Sequence, residues 1–439
     1  VRPKYNNNKY KIASVVILSL TSLFSFSIHA AEIKVIHAGQ LLTVPGKTVL
    51  NKQTIVITDN KITDIQSGFI RAKEIDKSAT LIDLKDSFVM PGLMDMHVHL
   101  QFEYGANNVS NTLKFSAEDK AMQSVSFAKK TLLAGFTTVR DLGGNPQPLY
   151  ALRNGINKGW IDGPRIIAAG RVSVTGGHLD VDGMRHDLIE KYSPTTLCDG
   201  AMECRKATRS AIKYGADMIK IASTGGVLSD TNTGTGQQMA DDELKEVVAT
   251  AHALGRKVAS HAHAAEGINA ALRAGVDSIE HGSYADDDSI VLFKYSGAYL
   301  VPTLLAGDTV VNLAKTTDFM SEEIKAKAIR VGSDMLKNFS RAYQGGVKIA
   351  YGTDSGVSKH GSNAKEAVLM FNAGMAPMDI LKSATVNAAD LIDKSATLGT
   401  LEKGKLADII AMDKNPLKDI SQLERVDFVM KDGVIYKHH

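Results

Sequence analysis

One rhythm constrains this chain more than any other feature. Helical text ends in glycine and passes at once into a short β-branched strand. It recurs in "LLAGFTTVRD", "IKYGADMIKI", "HALGRKVASH", "LRAGVDSIEH", "KYSGAYLVPT" and "YQGGVKIAYGTD". Glycine suits the left-handed position after a helix, where a Cβ would clash. The strands read as continuous apolar runs, as strands buried on both faces of a parallel sheet do. With "FVMPGLMDMHVH" before them and "GPRIIAAGRVSV" between, eight candidate strands lie between residues 88 and 354. Eight strands alternating with helices predict an α/β fold, a (β/α)8 TIM-type barrel. The alternative is an open doubly wound sheet, but no G-x-G-x-x-G opening follows an early strand.

The chain ends read differently. "EIKVIHAGQLLTV" and "QTIVITDNKITDI" alternate like a sheet, and so do "KGKLADIIAMD" and "VDFVMKDGVIYK", the last split by a Lys-Asp-Gly turn signal. Residues 31–88 and 396–439 are therefore expected to pair as one small β-sandwich domain, with the barrel occupying 89–395.

Residues 1–30 stand outside that fold. Arg2, Lys4, Lys9 and Lys11 come with no acid, "IASVVILSLTSLFSFSI" is apolar, and "HAAE" offers small residues for cleavage near Ala30. Together they read as a secretory signal peptide; an uncleaved anchor is the alternative. The expected location is exported, periplasmic or secreted. Cleavage would take the net charge from +3 to −1, so the apparent basicity belongs to the signal. A near-neutral mature chain gives no reason to expect a nucleic-acid partner, nor a membrane once the signal is removed. In an exported protein, Cys198 and Cys204 of "LCDGAMEC" form either a local disulfide or two free thiols.

The chemistry gathers at the strand ends. The first strand ends in His97 and His99, and side chains two apart on a strand face one way. Lys220 lies in the fourth strand, His261 ends the fifth, His281 the sixth, and Asp354 the eighth. These last four follow their strand-opening glycines by five, six, six and eight residues, which predicts similar heights at the barrel mouth. Each has a plain alternative. His261 could be a core histidine, with His263 competing for its place. His281 or Asp354 could cap the next helix, and Lys220 could be salt-bridged. A lysine between Ile219 and Ile221 in a buried strand is costly unless paired or neutral.

H-x-H on the first strand, Lys on the fourth, His on the fifth and sixth, and Asp on the eighth resemble the binuclear metal-dependent hydrolases of the amidohydrolase superfamily. The resemblance covers essentially all of the chain after residue 30, including "MPGLMDMHVHL" and "GKLADIIAMDKNPL". It is nearest to the prolidase-like branch, with Xaa-Pro dipeptidases and carboxypeptidases that release Lys or Arg. "TGGH" ending at His178, "IKIASTGGV" and "YGTDSGVSKHGSNAKE" carry that likeness. Imidazolonepropionase-like proteins share the outline, but they usually have one metal and lack the lysine.

The resemblance implies two zinc ions, one on His97, His99 and Asp354 and the other on His261 and His281. Carboxylated Lys220 would bridge them. A bridging hydroxide would attack the carbonyl, Asp354 would serve as base and then acid, and His178 would bind the substrate. Small peptides or N-acyl amino acids are the expected substrates, and self-association is compatible with such a barrel. "GTGQQMADDE", with Gln237 and Gln238, resembles the basic-residue carboxypeptidases, while "AYLVPTLLA" resembles the Xaa-Pro dipeptidases. Two further readings stay open: a cyclic-amide hydrolase, and a non-catalytic metal-containing binding protein.

Overall fold

Alternating runs near the N-terminus form four strands, β1 (Ile33–Leu41), β2 (Leu50–Thr58), β3 (Lys61–Ser67) and β4 (Thr80–Pro91). The computed structural model describes residues 1, 4, 31–181, 183–229 and 234–438. Apart from Val1 and Lys4, the segment read as a signal peptide lies outside them. The glycine-led runs then give β5 (Leu93–Val98), β6 (Phe136–Asp141), β7 (Arg165–Arg171), β8 (Met218–Ala222), β9 (Val258–Ala262), β10 (Ser278–His281), β11 (Tyr299–Val301) and β12 (Lys348–Ile349). The chain closes with β13 (Ile409–Met412), β14 (Phe428–Lys431) and β15 (Val434–His438).

Strands from both ends share one seven-stranded mixed sheet, ordered β15-β14-β13-β4-β1-β2-β3. β4 is its hinge, parallel to β1 on one side and antiparallel to β13 on the other. Ile36, Ile55, Ile82, Ile409 and Phe428 bury together in one cluster, so the far ends of the chain hold each other by apolar contact.

β5 to β12 lie side by side in chain order as an eight-stranded parallel sheet with helices between them. Every residue of β5, β6, β8 and β9 is buried, which accounts for their apolar text. The two edges meet through the backbone. Met96 N–H donates to Tyr351 O (2.8 Å), Asp354 N–H to His97 O (2.7 Å) and His99 N–H to Ser355 O (2.7 Å). The closing seam therefore runs through the residues that carry the histidine pair and Asp354. Cys198 and Cys204 are joined as a disulfide. Among the described residues, no helix is long and apolar enough to cross a membrane.

Candidate metal centre and active site

The strand ends bring all seven singled-out side chains into one buried group. His97 and His99 have ring centroids 5.3 Å apart, His97 and His281 5.2 Å, and His261 and His281 4.6 Å. His178, from the loop after β7, stacks on His261 at 4.1 Å. Asp354 Oδ1 lies 3.5 Å from His97 Nε2 and 3.3 Å from His99 Nε2. The tightest grouping is His97, His281 and Asp354, whose ligand atoms all lie within 4.8 Å of one another. It draws on both of the ligand sets implied by the resemblance, so the two sets adjoin.

Lys220 stands lower in the ladder register than the strand-end histidines. In the ladder it pairs with Ala259, two residues below His261, whereas His281 pairs with Ala262.

Each ligand-type histidine is held from outside by one ring nitrogen, and in His97 and His99 the other, Nε2, faces Asp354 Oδ1. His97 Nδ1–H donates to Glu280 Oε2 (2.9 Å) and His99 Nδ1–H to Gly143 O (2.7 Å). His281 Nδ1–H donates to Thr303 Oγ1 (2.7 Å), whose hydroxyl donates in turn to Pro302 O. His261 Nε2–H donates to Gly225 O at 3.2 Å. Outer partners of this kind fix tautomer and ring angle at metal sites. His178 Nδ1 lies 2.7 Å from Ser229 Oγ, and its backbone N–H donates to Gln238 Oε1 (2.8 Å). Gln237 Nε2 donates to Met239 O and to Asp241. A Cβ at Gly226 would lie 2.1 Å from the His178 ring, so only glycine fits beneath it.

The backbone contributes too. His281, Thr303 and Asp354 have φ of 70°, 50° and 55°, a left-handed region that costs energy for residues other than glycine. At His281 this breaks strand alternation. Glu280 reaches His97 and Arg140 while its neighbour His281 still enters the centre. Neither His281 nor Asp354 is a helix cap: Asp286 caps the helix Asp287–Ser296, and Ala364 precedes the helix Lys365–Asn372.

Burial sets the charge states. It pushes His97 down to about 4, His178 to about 3 and His263 to about 4, and holds His261 and His281 well below the usual range. These imidazoles are neutral at pH 7. For His99, burial lowers the pKa but the Asp354 and Asp141 carboxylates raise it further. Burial, with Arg140 nearby, lowers Lys220 to about 8. The Lys220 Nζ and Asp354 Oδ1 atoms are buried and make no hydrogen bond among the described residues, and Lys220 is in no ion pair there. Neutral imidazoles, a carboxylate and an unclaimed amine with a lowered pKa make a donor set that fits divalent metal, zinc among them.

Three supporting residues escaped the sequence reading. Arg140 and Glu280 form a buried pair (2.7 Å), and Thr303 holds His281. Arg140 in "TTVRD" and Glu280 in "SIEH" carry the same signal as Lys220, a charge inside an apolar strand. His263, the rival of His261, stacks on His281 at 5.0 Å and belongs to the same cluster.

The profile of the amidohydrolase family matches residues 88–436. The ochratoxinase of Aspergillus niger is 30% identical over 433 residues, 93% of this chain and 87% of that one. A crystal structure of a Xaa-Pro dipeptidase with methionine bound in its active site superposes with a TM-score of 0.87 at 43% identity. It covers 92% of this chain and all of that one. A prolidase in complex with N-methylphosphonate-L-proline gives 0.84 at 29% identity, over 93% and 100% of the two chains. The chain belongs to the amidohydrolase family, in its prolidase-like part, and is a hydrolase acting on C–N bonds.

Proposed function

We propose that this protein is an exported, zinc-dependent hydrolase of dipeptides or N-acyl amino acids that releases the C-terminal residue. The observation that carries the reading is the unclaimed Lys220 Nζ, buried in one group with Asp354, whose Oδ1 lies only 3.3 Å from His99 Nε2 and 3.5 Å from His97 Nε2. His97, His99 and Asp354 would hold one ion, His261 and His281 the second. Lys220 would bridge them after its neutral amine takes up CO2. A pKa of about 8 keeps roughly a tenth of that amine neutral at pH 7. Two divalent ions supply a nucleophile from water and polarise the scissile carbonyl.

The chain's own residues do the rest. Asp354 Oδ1 takes the proton of the attacking water and passes it to the leaving amine, as base and then acid. Burial keeps Asp354 from water, yet His97 and His99 hold its pKa below the usual value, so it starts as the carboxylate. His178, neutral and fixed by Ser229, offers a hydrogen bond to the substrate carbonyl. The Xaa-Pro dipeptidase and ochratoxinase likenesses support small amide substrates. The Cys198–Cys204 disulfide and the basic-then-apolar first thirty residues support export.

The test is amino-acid release from a library of dipeptides and N-acyl amino acids by the zinc-loaded protein. Release confined to C-terminal Pro, or to Lys and Arg, would fix the substrate; no release from any member would sink the peptidase reading. For export, the N-terminus of protein recovered outside the cytoplasm should begin near Ala31. An intact leader on that protein would refute cleavage.

A further inference from the structure

Between β11 and β12 the helix Glu322–Gln344 spends several side chains on the backbone of loops that follow other strands. Lys327 Nζ donates to Ser229 O (2.5 Å), in the loop after β8, and Asn338 Nδ2 to Ser283 O (2.6 Å), in the loop after β10. Arg341 donates to Ala285 O, two residues beyond Ser283. Lys327 is buried, and among the described residues its ammonium has no partner besides Ser229 O. Positions 327 and 338 are about three helical turns apart, so one face of the helix holds both loops.

Each of these serines meets a histidine through its hydroxyl. Ser229 Oγ lies 2.7 Å from His178 Nδ1, and Ser283 Oγ 2.7 Å from His263 Nδ1. The serines are only 5% and 2% exposed, and among the described residues neither hydroxyl has another partner. A buried hydroxyl that only accepted would leave its own proton unpaired, which is costly. Each hydroxyl therefore donates to Nδ1, and the ring proton sits on Nε2. Thr303 shows the opposite arrangement. Its hydroxyl donates to Pro302 O, so it accepts from His281 Nδ1–H and leaves His281 Nε2 a lone pair for metal. His178 and His263 pack against His261 and His281, yet an Nε2–H can donate and cannot ligate. Neither Nε2 has a hydrogen-bond partner among the described residues.

We propose that Lys327 and Asn338 are positioning residues. A loop serine can turn its hydroxyl away unless its backbone is pinned. By holding the carbonyls of Ser229 and Ser283, the helix aims both hydroxyls and presents His178 and His263 to the centre as Nε2–H donors, not as metal ligands. For His178 this supplies the proton for its bond to the substrate carbonyl, and there the inference rests on the hydrolase function proposed above.

The first readout is spectroscopic. Long-range ¹H–¹⁵N correlation on the zinc-loaded full chain, labelled with ¹⁵N-histidine, reports which ring nitrogen holds the proton; His178→Gln and His263→Gln assign the two signals. Both rings should be Nε2–H in the wild type. Lys327→Met and Ser229→Ala should each mix the His178 tautomers and leave His263 unchanged, and Asn338→Leu should do the reverse. Lys327→Arg, which keeps a charged donor, should restore the His178 pattern. Nδ1–H on either wild-type ring, or an unchanged signal for the paired histidine in either helix variant, would overturn the proposal. Lys327→Gln, polar but one atom shorter, takes the place of Lys327→Met if that variant does not fold. The second readout is kinetic, on the fastest library dipeptide. Lys327→Met should lower kcat about tenfold, less than the loss of a whole transition-state donor. KM should stay within about twofold, since the bond strengthens in the transition state. Zinc content should match the wild type; zinc lost in step with activity would mean that the helix only supports the fold. If no dipeptide is cleaved but the tautomers behave as described, the hydrolase function fails and the role of the helix stands. Cleavage with the other tautomers gives the reverse.

Discussion

Two buried polar clusters lie side by side in this barrel, and they are built on opposite terms. In the deeper one every group is claimed. Arg140 donates to Met96 O, Ser278 Oγ and Glu280 Oε1; Glu280 also takes the Ser278 hydroxyl and His97 Nδ1–H. Asp95 accepts from His97 N–H, from the Thr353 N–H and hydroxyl, and from Asn363 Nδ2. In the cluster at the mouth, Lys220 Nζ and Asp354 Oδ1 are buried with no hydrogen bond among the described residues. A satisfied network fixes shape. An unsatisfied one of the same burial is costly to keep, which makes sense where a ligand completes it.

The contrast is tested most severely at Lys220. If Lys220 bridges two ions as proposed, Lys220→Met should abolish nearly all hydrolysis, by ~10³-fold or more, because both ions would lose a ligand. Zinc per chain should fall from two to one or fewer. Yet the metal-free variant should melt at or above the wild-type temperature, since an unpaired buried amine has been replaced by an apolar side chain of similar size. Wild-type zinc content, or a melting point lowered by more than a few degrees, would contradict the comparison.

Glu280→Gln should behave in the opposite sense. It leaves Arg140 buried without its counter-charge, and removing one partner of such a pair costs ~3–5 kcal/mol. Denaturant melts of the metal-free protein measure this directly. Coupling should appear in a double-mutant cycle: the Arg140→Met, Glu280→Leu pair should be less unstable than the sum of its single variants. Additive losses would mean that the deeper cluster is not a unit.

The difference between the clusters also explains what the sequence could show. The barrel was legible because glycine-ended helices and apolar strands are local patterns. The metal-ligand candidates were legible because strand-end histidines, Lys220 and Asp354 are conspicuous against that text. The supports were not. Arg140 meets Glu280 across 140 positions, and Thr303 reaches His281 from the next strand. The left-handed φ values at His281, Thr303 and Asp354 are imposed by tertiary hydrogen bonds, among them Thr303 N–H to Gly352 O and Asp354 N–H to His97 O. No residue type there announces them.

Glu366 sharpens the comparison with the smallest expected effect. It is fully buried, and its carboxylate accepts from the N–H groups of Leu304 and Leu305 at the head of the helix Leu304–Thr316. That turn carries Thr303, the partner of His281. Geometrically Glu366 belongs with the satisfied cluster, yet burial, reinforced by the charges of Asp95 and Asp354, raises its pKa from 4.5 to about 8. A folded pKa above the unfolded one means that the folded state holds the proton more tightly. Stability therefore falls as pH rises from about 4.5 to about 8, and is flat with respect to this group outside that window. Glu366→Gln keeps one acceptor and cannot ionise. It should cost about 1–2 kcal/mol at pH 5, where the native carboxyl is protonated, and less at pH 8. Melts of the metal-free protein across that range decide the matter: parallel profiles for wild type and variant would show that Glu366 ionises at its ordinary pKa, and that its two backbone hydrogen bonds outweigh its burial.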